Sequence, residues 1–426
     1  MAQPRPPESH ACHVDFLARV EGETSILVKT KDGAVEEIKL KIFEPPRFFE
    51  GFLAGRKYSE VGDIVARICG ICPISHMTTA IQAVEDAMGI TPSLQTKVLR
   101  RLICLSQIVA SHLVHLYMFA LPDYFGHPGF FTMMHGFEKE KNDFLQMKTV
   151  MNKIGEIIGG RPLHPIALVV GGFTRIPSRE SFDTMIREVE ELLPMAGDTV
   201  RLFSGLPYPE INTQAEFVAL HKDGEYAVNE GHVVSSGGID LEIRQYPAVF
   251  HEEQQDYAMA KKSYLKNGGS IMSGALARLN LKFAQLPDHT QALAREVGFR
   301  RPDRNPYHNN PAQALEVHGG MMECIRLLQG IDLTEEAPQV EIREGEGISI
   351  TEAPRGLLMH SYAIDRSGAV RKANVVTPTS HNFANIERDL HSLAENYAEK
   401  AGPGDLKSKC EQLVRAYDPC FSCSVH

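Results

Sequence analysis

The chain has no tryptophan. It also lacks an uninterrupted apolar run of about 18 residues, the length a membrane-crossing helix requires. The nearest approach, Leu102 to Leu121, is broken by Ser106, Gln107, Ser111, His112 and His115. That pattern reads as a buried helix, so no membrane span is expected. Positive charge is in deficit: 44 Lys and Arg stand against 54 Asp and Glu, a formal net charge of −10. This argues against a nucleic-acid partner, because phosphate binding needs a basic face. The start, MAQPRPPESHAC, shows no charged segment followed by an apolar one, so no secretory signal is expected and the cytoplasm is the expected compartment. A nucleotide-binding glycine loop is missing too. GEGIS (Gly345 to Ser349) lacks the third glycine and a following helix.

What is present is enough for a large core: 43% of residues are hydrophobic. The alternation in TSILVKTKDGAVEEIKLKIFE (Thr24 to Glu44) predicts a β-hairpin turning at Lys31-Asp32-Gly33. From Ser59 the pattern becomes helical. A long helix is expected after Pro92 and Ser93, with further helices near 137–158, 179–203, 252–265, 310–329, 382–399 and 404–416. Strand-rich segments are expected at about 214–250 and 347–376. The fold class is therefore mainly α with peripheral β, an α+β arrangement around a central bundle of long helices. We expect one unit over 1–426: a β-rich segment 1–58, a helical core 59–210, a mixed helical and irregular segment 211–345, and a β segment followed by C-terminal helices over 346–426.

Two Cys-x-x-Cys pairs lie near opposite ends: Cys69 and Cys72 in RICGICPISH, and Cys420 and Cys423 in DPCFSCSVH. Such a pair brings two thiolates within reach of one ion, and two pairs make a four-sulfur site. A reducing compartment favours metal binding or catalysis over disulfides. If both pairs share one ion, the C-terminal segment must be threaded into the interior, which explains thiols in a tail. Spacing does not choose the metal. Structural zinc is the plain alternative, although zinc ribbons usually keep their pairs close together in sequence, and an iron–sulfur cluster could use the same thiols.

The two cysteine motifs resemble the ends of the large, catalytic subunit of nickel–iron hydrogenases. RVEGE (Arg19 to Glu23), PRFFEG (Pro46 to Gly51), HLVHLY (His112 to Tyr117), EAPRG (Glu352 to Gly356) and TPTSHN (Thr377 to Asn382) extend the resemblance in the expected order. Chain length and motif variants are similar to those of the cytosolic branch that couples to NAD(P) or to sulfur. The resemblance implies that fold, and reversible splitting of H2 into protons and electrons. It implies nickel held by Cys69, Cys72, Cys420 and Cys423, with Cys72 and Cys423 also bridging to an iron that carries carbon monoxide and cyanide. Soft thiolates suit such a centre.

It further implies that the proton leaves through Glu21, otherwise a solvated strand charge. Arg355, otherwise a surface cation, would lie over the open side of the metals beside Pro354 and Asp418. Thr379, otherwise a turn residue, would bond a cyanide, and His76, otherwise a core histidine, would support a cysteine sulfur. A hard ion, Mg2+ or Fe2+, would be bound by Glu50, the His426 side chain and a backbone carbonyl near Val375. In the family the precursor is cleaved after this histidine, so an end at His426 is expected of a mature chain.

Two departures stand out. Ser111 occupies a position where many membrane-bound relatives have Asp, and Glu23 one where many have His. The remaining cysteines, Cys12, Cys104, Cys324 and Cys410, show no cluster spacing. Electrons therefore need an iron–sulfur small subunit, and beyond it diaphorase subunits binding flavin and NAD(P). The alternative is a non-catalytic scaffold with structural zinc, or a sensor of H2 using the same site.

Overall fold

The computed structural model describes residues 9–31, 34–133, 135–397 and 403–426, with side chains described from His13 onward. Two expectations fall outside these: the side chain of Cys12, and Asp32 and Gly33 at the hairpin turn. The strands around that turn pair as expected. β2 (Thr24–Lys31) and β3 (Ala34–Ile42) are antiparallel, and β1 (Ser9–Val14) adds a third strand on the far edge of β2. A short helix, α1 (Phe49–Leu53), and α2 (Tyr58–Val65) lead into the loop that carries the first cysteine pair.

Helices then build the centre. α3 (Pro73–Met88) starts on Cys72 with proline in its first turn, where a missing N–H costs nothing. α4 (Leu94–Val114) is capped by Ser93, whose hydroxyl accepts from the Thr96 N–H. It passes without a break into a π-helical stretch, His115–Ala120. The span Leu94–Tyr124 is long and apolar enough to cross a membrane, yet most of it is buried within the fold. α5 (Glu138–Gly159) and α6 (Arg179–Ser204) pack beside it.

β4 (Glu216–His221) and β5 (His232–Ser235) form part of a four-stranded sheet. The helix expected over 252–265 is not formed. In its place β6 (Phe250–Gln254) and β7 (Lys261–Leu265) form an antiparallel hairpin. Glu, Gln, Ala and Lys favour a helix there, but burial of Lys262, Ser263 and Leu265 against the neighbouring elements outweighs local propensity. Lys262 Nζ reaches the Glu387 carboxylate from the strand.

Downstream come α7 (Ala275–Lys282) and α8 (Asn309–Gly330), then the antiparallel meander β8 (Gly345–Ala353), β9 (Gly356–Ile364) and β10 (Val370–Val376). α3 lies so close to this sheet that a Cβ on Gly347 would collide with the backbone of Ala83 and Ala87. α9 (Pro378–Tyr397) and α10 (Pro403–Ala416) close the fold. One hydrophobic cluster runs from Val14 to Val425, and the last residues before the C-terminus are part of it.

Candidate metal centre

The two cysteine pairs meet. Cys69 Sγ is 3.7 Å from Cys420 Sγ, and Cys72 Sγ is 3.9 Å from Cys423 Sγ. All four residues are only 2% to 5% exposed. The Cys420 and Cys423 sulfurs also lie close to each other, which completes the cluster. Backbone N–H groups of Ile71 and Cys72 point at Cys69 Sγ, at 3.3 and 3.2 Å. The Cys72 thiol donating to it is the largest influence pulling the Cys69 proton affinity down, against burial, with the Arg355 charge helping. That same bond, with burial and the Cys69 charge, holds the Cys72 thiol well above the usual range.

One arginine fastens the two loops together. Arg47 Nη2 donates to the carbonyls of Ile68, at 2.6 Å, and Ser422, at 2.8 Å, while the Arg47 backbone N–H bonds the Val425 carbonyl. The strand-like run at Glu21 forms a parallel bridge to Cys420, and its carbonyl accepts from the Phe421 N–H at 2.7 Å. The Glu21 carboxylate lies with the Cys69 and Cys420 sulfurs in one group spanning less than 4.8 Å. Gly22, at φ +96°, permits this approach, because a Cβ would sit 2.6 Å from the Ser422 nitrogen.

Arg355 is buried on the same site. Its Nε donates to Asp418 Oδ1 at 3.0 Å, and its Nη1 has no partner among the described residues. Burial alone would lower its proton affinity, but Asp418, the Cys72 and Cys69 sulfurs and Glu21 outweigh that and raise it. The loop carrying Arg355 hangs from a second buried guanidinium. Arg278 donates to the carbonyls of Ala353 and Pro354, to both Glu316 oxygens and to Glu352. Thr379 Oγ1 accepts from the Cys420 N–H at 2.8 Å, so its own proton is free to donate elsewhere.

His76 Nδ1 lies 3.2 Å from His360 Nε2, and His360 Nδ1 lies 2.7 Å from the Tyr362 hydroxyl. Burial, with His426 and Arg47 adding to it, holds His76 neutral at about 3. His426 Nδ1 donates to the Cys423 carbonyl at 2.7 Å, and its Nε2 faces Glu50 Oε1 at 3.6 Å. Glu50 Oε1 accepts the Val375 N–H at 2.8 Å. Burial raises the Glu50 carboxyl, but His426 and that N–H together bring it below the usual range. Ser111 Oγ is buried with no partner among the described residues, while His112 Nε2 pairs with Glu316 Oε2 at 2.8 Å.

The structure sets Glu21 and Arg355 beside the cysteine sulfurs and Glu50 beside His426 and Val375, whereas the His76 ring bonds His360 and makes no bond to a cysteine sulfur among the described residues. Sequence reasoning missed Arg47, Arg278, Glu316, His360 and Glu252. The last is partly buried on β6 and feels the charges of Lys261, His426 and Glu50. Reading 252–265 as a helix hid its placement. Arg47 was visible inside PRFFEG, and its role was not.

The residues suit the group that the sequence resemblance implies. Four soft donors converge in a dry site, and the orphaned Nη1 of Arg355 is a charged donor that needs an anionic or electron-rich partner. A family model described as nickel-dependent hydrogenase matches residues 47–127 and 321–426. Sulfhydrogenase 1 subunit alpha of Pyrococcus furiosus is 34% identical over 428 residues, with 97% of each chain covered. Sulfhydrogenase 2 subunit alpha of the same organism is 33% identical, covering 97% of this chain and 98% of the other. Among solved structures, an NAD+-reducing NiFe hydrogenase in the H2-reduced state matches with a TM-score of 0.88 at 25% identity, over 98% of this chain and 99% of that one.

Proposed function

Because the chain belongs to the nickel-dependent hydrogenase family, we propose that it is the H2-splitting large subunit of a multi-subunit complex, with nickel on Cys69, Cys72, Cys420 and Cys423. Iron, bearing carbon monoxide and cyanide, would share Cys72 and Cys423. The observation that carries this reading is the meeting of two distant cysteine pairs in a buried site beside an unpaired guanidinium nitrogen.

Such a centre supplies a place to polarise H2 and a sink for its two electrons. The chain's own groups do the rest. A thiolate sulfur takes the first proton, and Cys420 is the sulfur best placed to pass it on, since it shares a group with the Glu21 carboxylate. Glu21 then carries the proton outward. Arg355 offers Nη1 as a fixed positive charge to the open side, while its Nε is occupied by Asp418. Thr379 and the Pro354 turn would offer a hydroxyl donor and backbone to the diatomic ligands, and His76, bonded to His360, would steady the sulfur side. Glu50, His426 and the Val375 backbone bind Mg2+ or Fe2+, with oxygen and imidazole donors that suit a hard ion.

The electrons pass to an iron–sulfur small subunit, and from there to a diaphorase that binds flavin and NAD(P). The similar proteins support this: one of them is an NAD+-reducing hydrogenase, and both sulfhydrogenase relatives are alpha subunits. The setting we infer is the cytoplasm, where thiols stay reduced and available to a metal.

The test is an infrared spectrum of the purified complex in the triple-bond region, with nickel, iron and zinc measured on the same sample. Carbon monoxide and cyanide bands with stoichiometric nickel are expected. Zinc with a silent spectrum would overturn the reading in favour of a scaffold.

A further inference from the structure

Two donors on α4 are buried with nothing to bond. Gln107 and Ser111 stand four residues apart, so they share one face of the helix, and they are only 5% and 2% exposed. The Gln107 amide has a fixed orientation. Its Oε1 accepts from the Ser75 backbone N–H at 2.9 Å and from the Ser75 hydroxyl at 3.0 Å, and a backbone N–H can only donate. Nε2 is therefore the free end, and it has no partner among the described residues. Neither has Ser111 Oγ, which does not turn back to a carbonyl of its own helix. Buried donors left unbonded are destabilising, so a ligand that accepts from them is favoured.

Both residues line a cavity of about 90 Å3, several times the roughly 10–15 Å3 that one water requires. The neighbouring helix α5 supplies Lys148 and Asn152, again four residues apart, and Gly70 and Ile71 of the first cysteine loop complete the lining. Lys148 is half-buried. Burial lowers its proton affinity, and no carboxylate offsets the effect. The lining contains no acidic residue at all.

We propose that this cavity is a binding site for a small anion, held by Lys148, Gln107 Nε2 and Ser111 Oγ. An ammonium, an amide NH2 and a hydroxyl converge here, and each can donate. A water molecule accepts only two hydrogen bonds and leaves the lysine charge uncompensated. An anion accepts from all three groups and neutralises that charge. The volume suits a halide or a small oxyanion such as formate or bicarbonate, which share this chemistry. The assignment does not depend on which metal the cysteines hold.

The test transfers crystals of the assembled complex into bromide, with and without competing formate, and reads the cavity by anomalous diffraction. One bromide peak within hydrogen-bond reach of Gln107 Nε2, Ser111 Oγ and Lys148 Nζ is expected. Displacement by formate marks an oxyanion site, and a peak that formate leaves in place marks a halide site. Lys148→Met keeps the apolar stem at a half-buried position and removes the charge. The bromide concentration that half-fills the site should then rise at least about tenfold. Gln107→Glu still accepts from Ser75 and turns its second oxygen towards Lys148, so the peak should vanish. Waters alone in the parent cavity, a side chain of a partner subunit filling it, or a peak unchanged in either variant would overturn the proposal.

Discussion

Asp389 on α9 is a carboxylic acid sealed in without a cation. It is 2% exposed, and its Oδ2 accepts from the Tyr417 hydroxyl at 2.5 Å and from Asn385 Nδ2 at 3.3 Å. Burial is the dominant influence and pushes its pKa from 3.8 up to about 7, against the opposing bonds from Tyr417 and Thr213. The folded state thus holds a proton that the unfolded chain releases at lower pH. Stability from this group is full below 3.8 and is lost as pH rises through about 7. At about 1.4 kcal/mol per tenfold change in proton affinity, the loss approaches about 4 kcal/mol. Asp389→Asn cannot ionise and keeps an acceptor for Tyr417. It should match the parent near pH 4 and gain stability progressively towards pH 8, by up to about 4 kcal/mol. Amide hydrogen exchange read on α9 and α10 would show this as slower exchange in the variant at pH 8, by up to about a thousandfold, with at most about a threefold difference near pH 4. Equal exchange at both pH values, or faster exchange in the variant at pH 8, would refute the argument that Asp389 is neutral in the fold.

Other outcomes follow from the centre and its supports. Cys423→Ser should lose iron and all H2 uptake, as read by metal analysis and an exchange assay on the same preparation. Glu21→Gln should retain nickel and iron but suppress H2/D2O exchange by at least about a hundredfold, because its amide cannot carry the proton. Arg278→Met leaves Glu316 buried without its guanidinium and Glu352 with only Lys282, so a thermal melt should report a loss of about 3–5 kcal/mol. Gly22→Ala places a methyl group against the Ser422 nitrogen at a positive φ, and should reduce metal retention while leaving far-ultraviolet dichroism unchanged.

Much of this was legible because the signals were local. Alternation between Thr24 and Glu44 predicts the β2–β3 pairing, and the three-to-four spacing after Ser93 predicts α4. The cysteine motifs singled out the four proposed ligands without any fold. The failure at 252–265 has a tertiary cause. A stretch of good helix formers became a hairpin because Lys262 had a buried carboxylate to reach and Leu265 a core to enter. Supports such as Arg47, Arg278 and His360 were illegible for a related reason. Each matters through partners far away in sequence, as when Arg47 bonds Ser422, and neither spacing nor composition encodes such a pairing.

Cys69 and Cys420 are 351 residues apart in sequence and 3.7 Å apart in space. A ribosome adding about 5–20 residues per second therefore leaves the first pair waiting for about 20–70 s before the second exists. During that wait the first pair is half a chelate, open to any thiophilic ion and to oxidants. Once the second pair arrives and Arg47 ties it to the first loop, the sulfurs are sealed from solvent. For the proposed metals, loading is thus a matter of timing as much as affinity: they would have to be delivered between synthesis of the first loop and closure of the last. Slowing that closure, and not tightening the sulfurs, is the lever by which a cell could raise the yield of correctly filled sites.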